Sequence, residues 1–174
     1  GIGKTVSYAN SLAGVDIGNY TLAVASDTTT ADITAKTITA SGITASNKTY
    51  NGNTVATLSG GSLTGVIGSD AVTLDSTGSF DTKNVGTGKT VTYTASLTGN
   101  DQGNYLLDNN SGTTTADITA KTIKVIGTTA QNKTYDGTTA ATLNSGSPSG
   151  VIFTDQLLLS QSGSFDTKDI GTGK

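Results

Sequence analysis

The sequence predicts an all-β chain built from tandem β-sandwich modules. Three observations lead there: its composition, the alternation of its apolar residues and an 85-residue duplication. Thr supplies about one residue in five, and 23 Gly accompany a single proline, Pro148. Every basic residue is Lys and every acidic one Asp, so Glu, Arg and Met, all good helix formers, are absent. Thr fits a pleated surface, and Gly and Asn fit the turns between strands. The hydrophobic fraction is only 33% and the net charge −3. Low hydrophobicity normally accompanies disorder, but here the apolar residues are patterned, which argues for ordered modules with thin cores.

The duplication aligns residues 1–85 with 86–170 without a gap, and 51 of the 85 pairs are identical. Shared blocks include Thr28–Ile38 with Thr113–Ile123, Asn47–Tyr50 with Asn132–Tyr135, and Ser79–Lys83 with Ser164–Lys168. A period of 85 exceeds the roughly 20–50 residues of a solenoid coil and suits a small domain in tandem.

Within one period the strands follow in order. Val91, Tyr93, Ala95 and Leu97 alternate with polar residues, as do Val6, Tyr8, Asn10 and Leu12 in the first copy. That period of two marks a half-buried strand. Tyr20, Leu22 and Val24 alternate next, followed by a strand over Ala31–Ile38. Further strands are expected near Thr44–Tyr50, Thr54–Ser59, Ala71–Leu74 and Gly78–Thr82. Seven or so short strands per period indicate a sandwich.

Between the first two strands stands Asp16-Ile17-Gly18-Asn19-Tyr20, repeated as Asp101-Gln102-Gly103-Asn104-Tyr105. In immunoglobulin-like sandwiches a Tyr at this corner hydrogen-bonds to backbone a few residues upstream. Asp16, Gly18, Tyr20, Asp101, Gly103 and Tyr105 are therefore read as a structural tyrosine corner. Gly18 and Gly103 are expected to supply a turn conformation with no Cβ penalty, and Tyr8, Tyr20, Tyr93 and Tyr105 to be core. The expected fold is thus tandem immunoglobulin-like β-sandwich modules with an 85-residue repeat.

On this frame residues 36–120 form a complete module. Residues 1–35 are the C-terminal part of a preceding repeat, and 121–174 the N-terminal part of the next. Neither part could bury a core alone. The chain, which has no initiating Met, is expected to be a slice of a longer array; the alternative is a subunit whose ends complete one another head to tail. The segment Thr28–Thr39, free of Gly and Ser, would join modules stiffly.

Chemistry is sparsely supplied. Without Cys there are no disulfides and no thiolate sites, which suits a chain exported unfolded. Without His the usual base near neutral pH is missing, and a non-catalytic role is expected. Asn100 and Asp101 form the best calcium candidate, but Val15 replaces Asn100 in the other copy and no Asp-x-Asp-x-Asp loop exists. The reading preferred over calcium is a turn Asp capping nearby N–H groups, with no cofactor. Lys48 and Lys133, beside Asn47 and Asn132, raise the idea of a Lys–Asn crosslink, against which solvated edge lysines are preferred. The Gly1–Lys4 and Gly171–Lys174 stretches are read as hairpin turns rather than phosphate loops. An acidic chain with pI ≈ 4.6 argues against nucleic acid. No apolar run reaches the ~18 residues of a membrane helix.

Asn132–Leu143 (NKTYDGTTAATL) and Asn47–Leu58 (NKTYNGNTVATL) resemble the Tyr-Asp-Gly signature of the bacterial YDG-type repeat, related to the MBG type. Gly99–Leu107 and the Ile-Thr-Ala-Lys-Thr-Ile blocks resemble other parts of that repeat. The first copy departs in having Asn51 where the second has Asp136. The resemblance implies a stalk segment of a secreted surface adhesin resembling filamentous haemagglutinins, extracellular, used in attachment or biofilm cohesion. It brings no catalytic residues. The expected partners are neighbouring repeats, with a host or cell-surface glycan as the alternative, for which Tyr50 and Tyr135 are the available platforms. No nucleic acid and no membrane insertion are expected. A self-assembling fibre subunit joined by strand complementation is the other alternative.

Overall fold

The computed structural model describes residues 1–174. The chain is all-β, with no α-helix and two single-turn 3₁₀ segments at Ile17–Asn19 and Gln102–Asn104. No helix is long and apolar enough to cross a membrane. The strands of the first half are β1 (Lys4–Ala9), β2 (Ser26–Ala31), β3 (Lys36–Ala45), β4 (Lys48–Thr49), β5 (Val55–Ala56), β6 (Leu58–Thr64) and β7 (Thr73–Phe80). They are followed by β8 (Gly86–Thr98), β9 (Tyr105–Leu107) and β10 (Ser111–Thr119). The last segment carries β11 (Lys124–Ile126), β12 (Thr129–Ala130), β13 (Ala140–Ala141), β14 (Leu143–Asn144), β15 (Ser147–Ser149) and β16 (Gly163–Ser164).

The long alternating run containing Val91, Tyr93, Ala95 and Leu97 is β8, whose buried positions Val91 and Ala95 fall on one face as a period of two requires. Ala71–Leu74 and Gly78–Thr82, expected as two strands, are the single strand β7. The expected strand Ala31–Ile38 is instead split between β2 and β3, and the residues after Tyr20 form no strand where those after Tyr105 form β9. The Gly-Thr-Gly-Lys stretch Gly86–Lys89, identical to Gly171–Lys174, lies inside β8 rather than in a free turn.

Strand order is β4-β10-β8-β7-β5 in a five-stranded sheet and β6-β3-β9 in a three-stranded one. Pairing is parallel for β10 with β4 and for β3 with β9, Lys36 lying opposite Tyr105. β1 and β2 form an antiparallel hairpin running from Lys4↔Ala31 to Ala9↔Ser26. β11–β15, β12–β14 and β13–β16 are short antiparallel ladders.

The chain divides into two compact units. One comprises Gly1–Thr44, Leu58–Gly78 and Tyr93–Thr113. Its core is Ile38, Ala40, Ile43, Ala95 and Tyr105. The other comprises Ala45–Thr57, Ser79–Thr92 and Thr114–Lys174. Ala56, Phe80, Val91, Ala116 and Ile118 form its core. Only ten apolar residues are buried, four of them Ala, which is the thin core expected of a Thr-rich sequence. By contrast, all of β1 and β2 is exposed, including Val6 and Tyr8. Tyr8, at 41% exposed, is therefore not a core residue.

Candidate functional site

The side chains singled out in the sequence converge on three polar clusters. The first lies at the Asp-x-Gly-x-Tyr turn of the second copy. Gln102–Asn104 make one 3₁₀ turn, and Tyr105 leaves it in extended conformation. The Tyr105 ring is 7% exposed. Its hydroxyl donates to Asp70 Oδ2 at 2.5 Å and accepts the Ile67 N–H at 3.0 Å. The bond to Asp70 pushes the phenol above its ordinary value, against the opposite pull of the Ile67 N–H. Asp101 grips the same loop: its Oδ2 accepts the Ala71 N–H at 2.7 Å, and its own N–H donates to the Ala71 carbonyl at 3.2 Å. The motif is therefore a two-point clamp on the Ile67–Ala71 loop.

Three expectations are corrected here. Tyr105 bonds to backbone 38 residues upstream, not a few, because the loop before β7 lies against the turn. Asp101 makes no side-chain cap bond within its own turn; it reaches Ala71 instead. Gly103 and Gly18 are outside the left-handed region, and a Cβ on either would meet nothing. The constrained glycine is Gly99, at φ +107, where a Cβ would stand 2.2 Å from the Ala71 carbonyl oxygen. Its counterpart Gly14 has φ +126. Sequence reasoning missed this pair, although both copies read Gly-x-Asp-x-Gly-x-Tyr.

The first copy has the same backbone and none of the burial. Asp16 precedes a matching 3₁₀ turn, and the Tyr20 N–H donates to Ile17 as the Tyr105 N–H does to Gln102. Tyr20 is nevertheless 71% exposed and not a core residue, since no loop covers it. As for calcium, Asp101 is engaged with Ala71, and the chain contains no group of three or more acidic side chains that could hold a metal.

The second cluster belongs to the Asn-Lys-Thr-Tyr stretches. Lys48 Nζ donates to Asn53 O at 2.8 Å, Asn53 Oδ1 at 3.1 Å and Val55 O at 2.9 Å, and stands 5.2 Å from the centre of the Phe80 ring. Lys133 repeats the arrangement with Asp136 Oδ1 at 2.9 Å, Thr138 O at 2.8 Å and Ala140 O at 3.0 Å, and with Phe165 at 5.4 Å. Lys48 sits on the edge strand β4 and Lys133 is exposed, as the sequence suggested, but neither ammonium stands free in solvent. Each pins its own loop, and burial pushes the Lys48 ammonium below its usual value. The recurrence of Lys and Phe at the same separation in both copies was the available signal. Asn47 is occupied too, accepting the Asp117 N–H at 2.7 Å.

The third cluster joins Tyr50, Lys83 and Asp155, of which Lys83 and Asp155 were not anticipated. The Tyr50 hydroxyl donates to Asp155 Oδ2 at 2.7 Å, and Lys83 Nζ lies 3.2 Å from Asp155 Oδ1. Lys83 also sits 5.9 Å from the Tyr50 ring centre. The Tyr50 hydroxyl, assisted by Lys83, holds the Asp155 carboxyl below its usual range. Beside them Ile152 packs on Gly52, where a Cβ would come within 2.7 Å of its methyl. A cleft of about 220 Å³ opens next to this contact, lined by Val85, Ile123 and Leu157 among others.

The family model described as YDG domain matches residues 34–116 and again residues 119–174. The chain belongs to the YDG domain family. No curated protein and no solved structure matches it. Apart from Asp117, the two YDG matches contain all three clusters, and the Tyr-Asp-Gly stretch of the second, Tyr135–Gly137, is the loop that Lys133 pins. In this structure the YDG clusters hold loops: Asp70, Asp101, Asp136, Asp155, Lys48, Lys83 and Lys133 are each taken up by donors or acceptors of the chain itself.

Proposed function

We propose that the chain is a non-catalytic structural repeat from the stalk of a bacterial extracellular surface adhesin, supporting attachment or biofilm cohesion. Its unit is an immunoglobulin-like β-sandwich repeated every 85 residues, and its work is to hold an adhesive region away from the cell. The observation that carries this reading is the recurrence of the same contacts one period apart. The Gly3 N–H donates to Asp32 at 2.8 Å and the Gly88 N–H to Asp117 at 2.7 Å. The Asn10 N–H meets the Ala25 carbonyl at 2.8 Å, as the Ala95 N–H meets that of Asn110. The two family matches begin at residues 34 and 119, one period apart. Such redundancy suits a spacer, in which each unit does the same mechanical task, better than a single reactive cleft.

Arrays of two, four and six repeats, compared by small-angle scattering, test this. The maximum dimension is expected to grow linearly by roughly 35–45 Å per repeat, the length of a long strand plus its turns. Growth with the cube root of repeat number, as in a compact ball, would overturn the reading.

A further inference from the structure

The Tyr50–Lys83–Asp155 contact exists once in the chain, yet both of its sides occur twice. On the donor side Tyr50, Gly52, Lys83 and Val85 correspond to Tyr135, Gly137, Lys168 and Ile170. On the acceptor side Ile152, Asp155 and Leu157 correspond to Ile67, Asp70 and Val72.

The second donor face is already assembled. Lys168 Nζ stands 5.8 Å from the Tyr135 ring centre, matching the 5.9 Å of Lys83 over Tyr50. Gly137 and Gly52 share the left-handed conformation, at φ +77 and +82. Tyr135 is 57% exposed, and with Ile170 it lines an open groove of about 460 Å³. The second acceptor face is open as well. Ile67 is 56% exposed, and Asp70 uses Oδ2 for Tyr105. A carboxylate offers about four lone-pair sites, so that bond leaves room for further donors.

We propose that the Tyr135–Lys168–Ile170 face docks the Ile67–Asp70–Val72 loop of a second copy of this chain. Asp70 receives the Tyr135 hydroxyl and the Lys168 ammonium as Asp155 receives those of Tyr50 and Lys83, and Ile67 sits on Gly137 as Ile152 sits on Gly52. The occupant is a second copy because its loop carries the same residues as the segment that fills the equivalent site within the chain. Donor and acceptor faces differ, so the contact is heterologous and adds copies in one direction unless the rotation closes a ring. The inference rests on the residue correspondence and the geometry of the two open faces, and not on the spacer reading. So small a contact implies a weak, concentration-dependent association.

Sedimentation velocity of the intact chain from micromolar to millimolar concentration tests it. The sedimentation coefficient is expected to rise with concentration. Lys168→Asp sets two carboxylates against each other and is expected to weaken association by roughly a hundredfold, with Tyr135→Ser weakening it by about tenfold. Both residues are exposed enough to leave the fold intact, which circular dichroism checks. The Lys168→Asp chain keeps its acceptor loop, so added to wild type it is expected to cap growth and shorten the assemblies. Asp70→Lys fails to associate alone, and mixing it with Lys168→Asp restores association. Should Asp70→Lys not fold, the capping experiment decides. A wild-type chain that stays monomeric at millimolar concentration would overturn the proposal. So would association that survives Lys168→Asp and Tyr135→Ser, which would mean contact through other surfaces.

Discussion

Residues 1–35 and 86–120 are two copies of one segment of the repeat, identical at 23 of 35 positions. They share the hairpin contact from residue 10 or 95 to residue 25 or 110, the 3₁₀ turn and the Gly–Asp bond at the strand start. In one copy the aromatic ring is bare and in the other it is sealed. The difference separates two things usually found together. Turn geometry comes from short-range sequence, since it forms with no cover at all. Burial and the clamp come from the Ile67–Ala71 loop, which only the second copy contacts.

Substitutions can break that comparison in graded steps. The largest effect is expected at Tyr105. Tyr105→Ala removes a buried ring and orphans Asp70 and the Ile67 N–H, and should lower the melting temperature by more than about 10 °C. Tyr20→Ala should move it by less than about 4 °C, as for an ordinary surface substitution. Equal effects in thermal melts would refute the claim that only the second corner is clamped.

Glycine substitutions come next. Gly99→Ala meets both a forbidden dihedral and the Ala71 carbonyl, and should cost about 2–3 kcal/mol in urea titrations. Gly14→Ala meets the dihedral penalty with nothing within 4 Å, and about 1 kcal/mol is expected. Gly103→Ala, unstrained and unobstructed, should be neutral or stabilise by up to about 1 kcal/mol. Finding Gly103 the most sensitive of the three would restore the turn role that the sequence suggested.

The smallest effects concern pH. The Lys133 ammonium and the Thr138 N–H and hydroxyl lower the Asp136 carboxyl to about 2, whereas its counterpart Asn51 cannot ionise. A folded value below the unfolded one of about 3.9 means stability that is full above pH ~4 and fades as pH falls toward 2. Asp136→Asn should flatten that limb of the stability curve, and an unchanged acid limb would show the loop contact to be energetically idle. Tyr105 carries the opposite sign. Its raised value means a contribution present below pH ~10 and lost as pH climbs through the folded value, a limb that Tyr105→Phe should remove.

Much of the fold could be read in advance because it is local. Alternation identified β8, and Thr and Gly enrichment excluded helices. What escaped was set by distance along the chain. Asp70 is 35 residues from Tyr105, and Asp155 is 105 from Tyr50, and no short-range pattern ties either pair. Gly103 stood out because it lies within a familiar motif, while Gly99 proved critical because of a carbonyl from another segment. Lys48 is an edge-strand charge, and its contact with Phe80 was hidden because that ring lies in a different strand.

The caged ammonium groups have a practical use. Acylation needs a deprotonated nitrogen with its lone pair turned outward, so Lys48 and Lys133, each donating to three or more acceptors, must give up those bonds before they react. Timed acetylation read by mass spectrometry would therefore report, through one slow amine in each copy, when that copy's loop comes undone under tension, acid or heat.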